Sequence, residues 1–311
     1  MPFFHHRGPD GQQEDPAVAE AELQAALAAL ERGGIPPKAE RRLAERKVGG
    51  RTLFTSDLSV NEFALVNRTG LTPVSQVMGS SVYHVGWQGR PGTFFGAGRG
   101  AYELGVLSEA WNNARRLALS RLQQEARLAG ADAVVAVRIK WGAHDFAPNT
   151  VEMVAVGTAV RNASSERTDP PVLTDLSGQD LWNLLQAGYR PSGVVGATTI
   201  FYVVPQWSTQ RLTTSWFSGR SNQELPDFTQ AIYTARETAF GRLSGEAQML
   251  GAQGVVGVSI DQSVGHREVD MGNNNKRIDL IVTLHVLGTA IIEGPGRELD
   301  VHTTLDLRGA I

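Results

Sequence analysis

The sequence predicts an α/β (α+β) fold made by tandem duplication. The unit is a small β-α-β-β arrangement with a helix packed on a three-stranded sheet, and a helical N-terminal extension precedes the two copies. Three observations carry this. "DLSVNEFALVNRTGLTP", from Asp57 to Pro73, returns as "DLSGQDLWNLLQAGYRP", from Asp175 to Pro191. "ARRLALSRLQQEARLAGADAVVAV", from Ala114, returns as "ARETAFGRLSGEAQMLGAQGVVGV", from Ala235. "GTAV" at Gly157 returns as "GTAI" at Gly288. The blocks keep one order, which marks a duplicated folding unit.

The extension comes first. Residues 1 to 14 are polar and turn-rich, the composition of a disordered segment. Asp15 is placed to cap a helix and Pro16 suits its first position, where a missing N–H costs nothing. "DPAVAEAELQAALAALERGG" then favours helix until Gly33 and Gly34 end it. "PPKAERRLAERK" reads as a second, short helix that is basic on balance, which suits a solvated face or an acidic partner.

Each unit opens with a short helix. Ser59 and Glu62, and Ser177 and Asp180, stand at capping-box spacing. Gly70 and Gly188 fit the position that terminates such helices, and Pro73 and Pro191 prevent continuation. A first strand follows, "VSQVMGSSVYHVGW" and "GVVGATTIFYVV", rich in Val, Ile, Thr and Tyr. After a long connection, apolar residues at spacings of three and four predict a helix from Leu107 to Ala129 and another from Pro226 to Leu250. Gly130 and Gly251 end them. "ADAVVAVRI" and "AQGVVGVSI" supply the second strand; "VEMVAVGTAVR" and "IDLIVTLHVLGTAI" supply the third. The helix between the first two strands makes them parallel, with a right-handed crossover if they are neighbours. A loop joins the last two, which are therefore antiparallel. A sheet this small leaves a face and its edges uncovered, so the second unit or another chain must cover them.

The expected boundaries are residues 1–52 for the extension, 53–162 for the first unit, 163–173 for a linker, 174–294 for the second unit and 295–311 for a C-terminal strand or tail. The 311 residues suffice for two cores, and 41% hydrophobic with 20% charged residues is ordinary for a globular chain. A net charge of -3 argues against a general nucleic-acid binder. The absence of cysteine excludes disulfides, thiolate metal sites and cysteine nucleophiles. The N-terminus lacks the basic and apolar regions of a secretory signal, and the longest apolar run is about a dozen residues where a bilayer needs about 20. A cytoplasmic protein without a membrane span is the expectation.

The helix-strand text from Ala114 and the closing "VAVGTAV", with their second copies, resemble the YbjQ-like family, whose members are labelled heavy-metal-binding domains. That resemblance implies small α/β units assembled into pentameric rings, here with two units per chain. The family's Gly-Gly-Glu segment before the long helix is absent from both copies, and longer Gly-, Arg- and aromatic-rich loops replace it.

Candidate sites follow. Without thiolates, a metal would use His and carboxylates, the ligands of zinc, nickel or copper. His144 and His266 recur in corresponding loops between the last two strands, with Asp145 and Glu268 beside them, and several subunits could combine them around a ring axis. The same residues also suit an exposed polar hairpin tip. His84 and His285 lie on strands as ordinary packed or surface residues. In the long connections, Trp87, Phe94, Phe95 and Tyr102 stand against Trp207, Trp216 and Phe217, with arginines between them. Such residues anchor subunit or partner contacts, or serve as a lid on the unit's own core. No G-x-S-x-G elbow, H-E-x-x-H helix or repeated His/Asp/Ser cluster is present, so catalysis is not expected. The expected function is a non-enzymatic, homo-oligomeric scaffold or binding module. The alternative is a divalent metal or small-ligand binder using the His-bearing loops.

Overall fold

The computed structural model describes residues 16–45, 54–85, 99–143, 150–162, 167–214, 222–272 and 276–294. The polar N-terminal tail and the expected C-terminal strand lie outside them. Helices α1 (Pro16–Glu31) and α2 (Pro37–Glu45) form an N-terminal hairpin. The first repeat contains α3 (Val60–Arg68), β1 (Leu71–His84), β2 (Gly100–Glu103), α4 (Gly105–Ala129), β3 (Ala133–Ala143) and β4 (Thr150–Asn162). The second contains β5 (Val172–Leu173), α5 (Gly178–Gln186), β6 (Tyr189–Val204), α6 (Trp207–Thr214), α7 (Pro226–Met249), β7 (Gly254–Asp270) and β8 (Lys276–Glu293). The helix-strand-helix-strand-strand order within each repeat and both long helices are those the sequence predicts, whereas β2, β5 and α6 lie in segments expected to be connections or linker.

Two four-stranded sheets result, ordered β1-β4-β3-β5 and β2-β6-β8-β7. Within each repeat the closing strand lies between the other two, so β1 and β3 run parallel but are separated by β4. The crossover through α4 therefore joins strands that are not neighbours. The fourth strand of each sheet comes from the other repeat. β2 precedes α4, yet pairs antiparallel with β6, Tyr102 opposite Tyr202. β5, in the expected linker, leads into the second repeat, yet pairs parallel with β3. The two repeats thus exchange short strands, each closing one edge of the other's sheet.

Helix α4 covers the first sheet so closely that a Cβ on Gly79 would meet the Ala118 carbonyl oxygen at 2.0 Å. The long-helix packing repeats in the second unit, where Ala239 and Leu243 of α7 meet Val195 and Ala197 of β6. The repeated words have structural roles. Thr158 of the first "GTA" donates to Asp57 Oδ1 at 2.6 Å and accepts from the Asp57 N–H at 3.3 Å. Thr289 of the second donates to Asp175 and accepts from the Asp175 N–H at 3.0 Å. The "DLS" segment is thereby pinned to the closing strand in both units. Burial raises the Asp175 carboxyl above its ordinary range, and the Thr289 hydrogen bond opposes the shift. A side chain at Gly157 or Gly288 would strike Val134 or Val255, at 2.7 and 2.9 Å. Gly241 and Gly245 have no such neighbour among the described residues, and close packing does not explain them.

Candidate functional site

The predicted metal residues fall in two places. His144 and Asp145 lie outside the described residues. His266 and Glu268 are not in a loop: both lie on β7, which with β8 forms a long exposed hairpin. Two residues apart, they share one face of the strand. Glu268 already accepts from Lys276 Nζ at 2.8 Å, which holds its carboxyl below the ordinary range. Among the described residues no group of three or more potential ligands forms. The described residues of one chain thus offer fewer donors there than the three or four of a zinc site.

The aromatic candidates are also divided. Trp87, Phe94, Phe95, Trp216 and Phe217 lie outside the described residues. Tyr102 sits on β2, the exchanged strand, so it takes part in the contact between repeats. Trp207 opens α6, a helix inside what the sequence presents as a loop; it is 62% exposed, and the Arg99 guanidinium lies 3.5 Å over its ring. Nearby, Arg277 and the Tyr202 hydroxyl both donate to buried Asp279, and burial with that carboxylate pushes the Tyr202 phenol up to about 12. This cluster satisfies itself and aims no free group at solvent.

The most elaborated polar surface is the junction between the repeats. Where β2 ends, α4 takes over the open edge of β6. The Leu104 N–H donates to the Ile200 carbonyl at 2.7 Å, and Ser108 Oγ accepts from the Ile200 N–H at 3.0 Å. Asn112 then acts as a strand partner: its Nδ2 donates to the Thr198 carbonyl at 2.8 Å, and its Oδ1 accepts from the Thr198 N–H at 2.9 Å. Arg115, 4% exposed, donates to Glu246 at 2.6 Å, while the other Glu246 oxygen accepts from the Gly196 N–H at 3.1 Å. His285 of β8 is held between Trp111 and Trp141 of the first repeat, at 4.8 and 4.6 Å between ring centroids, and its Nδ1 pairs with Thr198 Oγ1 at 2.8 Å. Burial pushes the His285 imidazole down to about 4, partly opposed by Asp261. Beside this contact α4 and α7 leave an open groove of about 580 Å³, lined from both sides by residues including Asn112, Arg116, Arg242 and Glu246.

The residues that make this junction have counterparts that are uncovered. On the acceptor side Thr198 and Ile200 are each 2% exposed; their counterparts on β1 are Ser80, which is exposed, and Val82, 63% exposed. On the donor side Asn112 and Arg115 are buried; their counterparts on α7, Tyr233 and Arg236, are exposed. Asn222 to Glu224, counterparts of β2, form no strand and are exposed. Phe54 and Thr55, counterparts of β5, are likewise exposed. The first repeat thus presents an exposed acceptor edge, at which the Ser80 carbonyl already accepts from Arg121 at 2.6 Å, and the second an exposed donor face. Sequence reasoning missed this site, although one signal was available: Arg121 with Glu125 recurs as Arg242 with Glu246 in the repeated helix text.

Comparison with known proteins agrees with the duplicated architecture. The YbjQ family model, described as "Putative heavy-metal-binding", matches twice, over residues 76–163 and 208–293. The chain is 41% identical over 234 residues to the encapsulin nanocompartment protein Rv1762c of Mycobacterium tuberculosis, across 74% of this chain and 84% of that one. The chain belongs to the YbjQ-like family, with two copies of its domain in tandem.

Proposed function

We propose that the protein is a non-enzymatic scaffold that assembles head to tail into a closed homo-oligomeric ring. The observation that carries this is the exposed acceptor and donor faces, each the counterpart of a face buried between the repeats. The donor face of one copy, α7 with Asn222 to Glu224, meets the β1 edge of the next. In return, Phe54 and Thr55 of that next copy add to β7. Such a contact joins unlike surfaces, so it propagates until the rotation closes. Strand addition supplies main-chain hydrogen bonds to two edges that a single chain leaves open. The nanocompartment in the name of the M. tuberculosis relative supports an assembly role, and this chain is proposed to serve as a component of such a compartment. No helix among the described residues is long and apolar enough to cross a membrane.

Native mass spectrometry on protein purified without chelator tests the reading. A single stoichiometric multiple of the 33.5 kDa chain is expected, and Val82→Lys, which places a charge in the acceptor edge, is expected to reduce it to monomer. A wild-type monomer at micromolar concentration refutes the assembly. A second reading rests on the shared face of His266 and Glu268, which a ring would present once per copy. In that case zinc, nickel or copper would appear as bound mass in the wild type and vanish in His266→Ala.

A further inference from the structure

The hairpin α1–α2 has no counterpart in the second repeat, and its contacts locate it in the assembly. Arg121 donates to the Leu30 and Gly34 carbonyls at 3.1 and 3.0 Å. Gln124 donates to the Gly33 carbonyl at 3.2 Å. Arg42 bridges both oxygens of Glu125 at 3.0 Å. The counterparts of Arg121, Gln124 and Glu125 on α7 are Arg242, Gly245 and Glu246, and all three line the open groove between the repeats. The hairpin therefore sits, on the first repeat, in the place that is an empty groove on the second.

We infer that the hairpin is a wedge in the junction between two copies, filling the groove that the junction within the chain leaves open, with Arg42 facing Glu237 of the incoming copy. The inference rests on the head-to-tail reading above and adds a specific contact to it. Three observations support it. The corresponding place within the chain is an open groove of about 580 Å³ and not packed protein, so the side of the hairpin that touches Arg121 and Glu125 would meet open space there when a second copy docks. The hairpin has uncovered apolar residues: Leu23 and Leu27 share one side of α1 and are 51% and 45% exposed, Val18 on the opposite side is 55% exposed, and no residue of α1 is buried.

Charge supplies the third. Within the chain, Arg116 on the docking helix lies 3.8 Å from Glu246. Its counterpart on α7 is Glu237, which is exposed. A second copy docked in the same way would bring Arg236, counterpart of the Arg115 that pairs with Glu246 at 2.6 Å, to Glu125, which Arg42 already pairs; two cations then share one carboxylate, and Glu237 beside them supplies the second negative charge. Arg42 stands at that site, paired with Glu125 and with its side chain still 57% exposed, while Lys38 and Arg41 of α2 pair with Glu22 of α1. The reversal from Arg116 to Glu237 on the docking helix is matched by the Arg42 cation on the one element found only at that junction.

The test is a charge exchange in the full-length chain, read by sedimentation velocity across a concentration series. Glu237→Lys is expected to weaken assembly by about tenfold in dissociation constant while leaving the monomer's unfolding midpoint unchanged. Adding Arg42→Glu to that variant is expected to restore assembly. A Glu237→Lys protein that assembles as well as wild type, or better, overturns the inference. So does tighter assembly on removal of residues 1–45, which would make the hairpin a competitor for the junction. A wild-type chain that remains monomeric is a different failure, because it removes the head-to-tail assembly itself.

Discussion

Acidification should loosen the contact between the repeats through one residue, His285. Its imidazole lies between Trp111 and Trp141, 8% exposed, with Thr198 on Nδ1. Asp261, across from it on β7, is the charged group that bears on it. Its value in the folded chain is about 4, against 6.5 for a free imidazole. Between those values the unfolded chain binds the proton and the folded chain does not, so stability falls as pH falls. The contribution is complete above pH 6.5, declines through the window, and is lost below 4. A gap of about 2.5 units corresponds to about 3 kcal/mol in all, of which about 1 kcal/mol is gone by pH 5.5. The assay is urea unfolding at pH 7.5, 5.5 and 4.5, followed by tryptophan fluorescence, for wild type and His285→Phe. The variant loses the Thr198 hydrogen bond and is less stable at pH 7.5, but the difference should shrink as pH falls. A difference that stays constant across the three pH values would refute the reasoning, because it would mean that the folded and unfolded chains bind the His285 proton equally and burial does not depress the imidazole.

Two further substitutions probe the packing. Asn112→Ala removes the side chain that stands in for a neighbouring strand and leaves the Thr198 N–H and carbonyl unpaired. At about 1 to 3 kcal/mol for each buried group left unsatisfied, the loss is about 2 to 6 kcal/mol in denaturant unfolding, and a loss under 1 kcal/mol would contradict the assigned role. Gly79→Ala forces a methyl carbon to 2.0 Å from the Ala118 carbonyl oxygen and 2.4 Å from the Leu122 nitrogen, both helix backbone. It should cost about 3 kcal/mol or more and lower the thermal midpoint, because neither atom can yield without moving α4 off β1.

The duplication was legible because it constrains many residues at once. The text from Asp57 and Asp175 and the two "GTA" words were visible as repeats, whereas their contact was not, since Thr158 and Asp57 lie 101 residues apart in the chain. Strand order was hidden for a related reason: nothing local in β1 or β3 records that β4 lies between them. The exchanged strands escaped because β2 has four residues and β5 two, too few for alternation to register. They are strands only because an open edge selects them. The sequence presents His266 and Glu268 as loop residues because that end of β7 is exposed on both faces and carries no buried alternation to mark it as a strand. The hairpin helices were legible from caps and composition, but their docking depends on Arg121 and Glu125 of a different element.

Fusing two units into one chain changes what each junction must do. Within the chain the effective concentration of one repeat for the other is high, so that contact can be dry and permanent. Its residues fit this: Asn112, Arg115 and His285 are all under 10% exposed, and each makes its hydrogen bond to the other repeat, or to a residue held there, only while the repeats stay together. A contact between chains must form at cellular concentrations from surfaces that are first exposed to water. Asn112 would be a poor choice there, since an amide shaped to fit a strand edge gains little when that edge is absent. Tyr233 and Glu237 suit such a surface better, because an amphipathic ring and a solvated carboxylate tolerate exposure and still offer packing and charge on docking. The two copies of the long helix therefore differ on the face proposed to dock, Asn112 against Tyr233 and Arg116 against Glu237, and keep Ala114 and Ala235, Ala118 and Ala239, and Leu122 and Leu243 on the face that packs. That pattern is expected if selection acts on two different junctions made with one fold, and it is not expected if α7's outer face simply meets solvent, where no particular charge reversal opposite Arg42 would be called for.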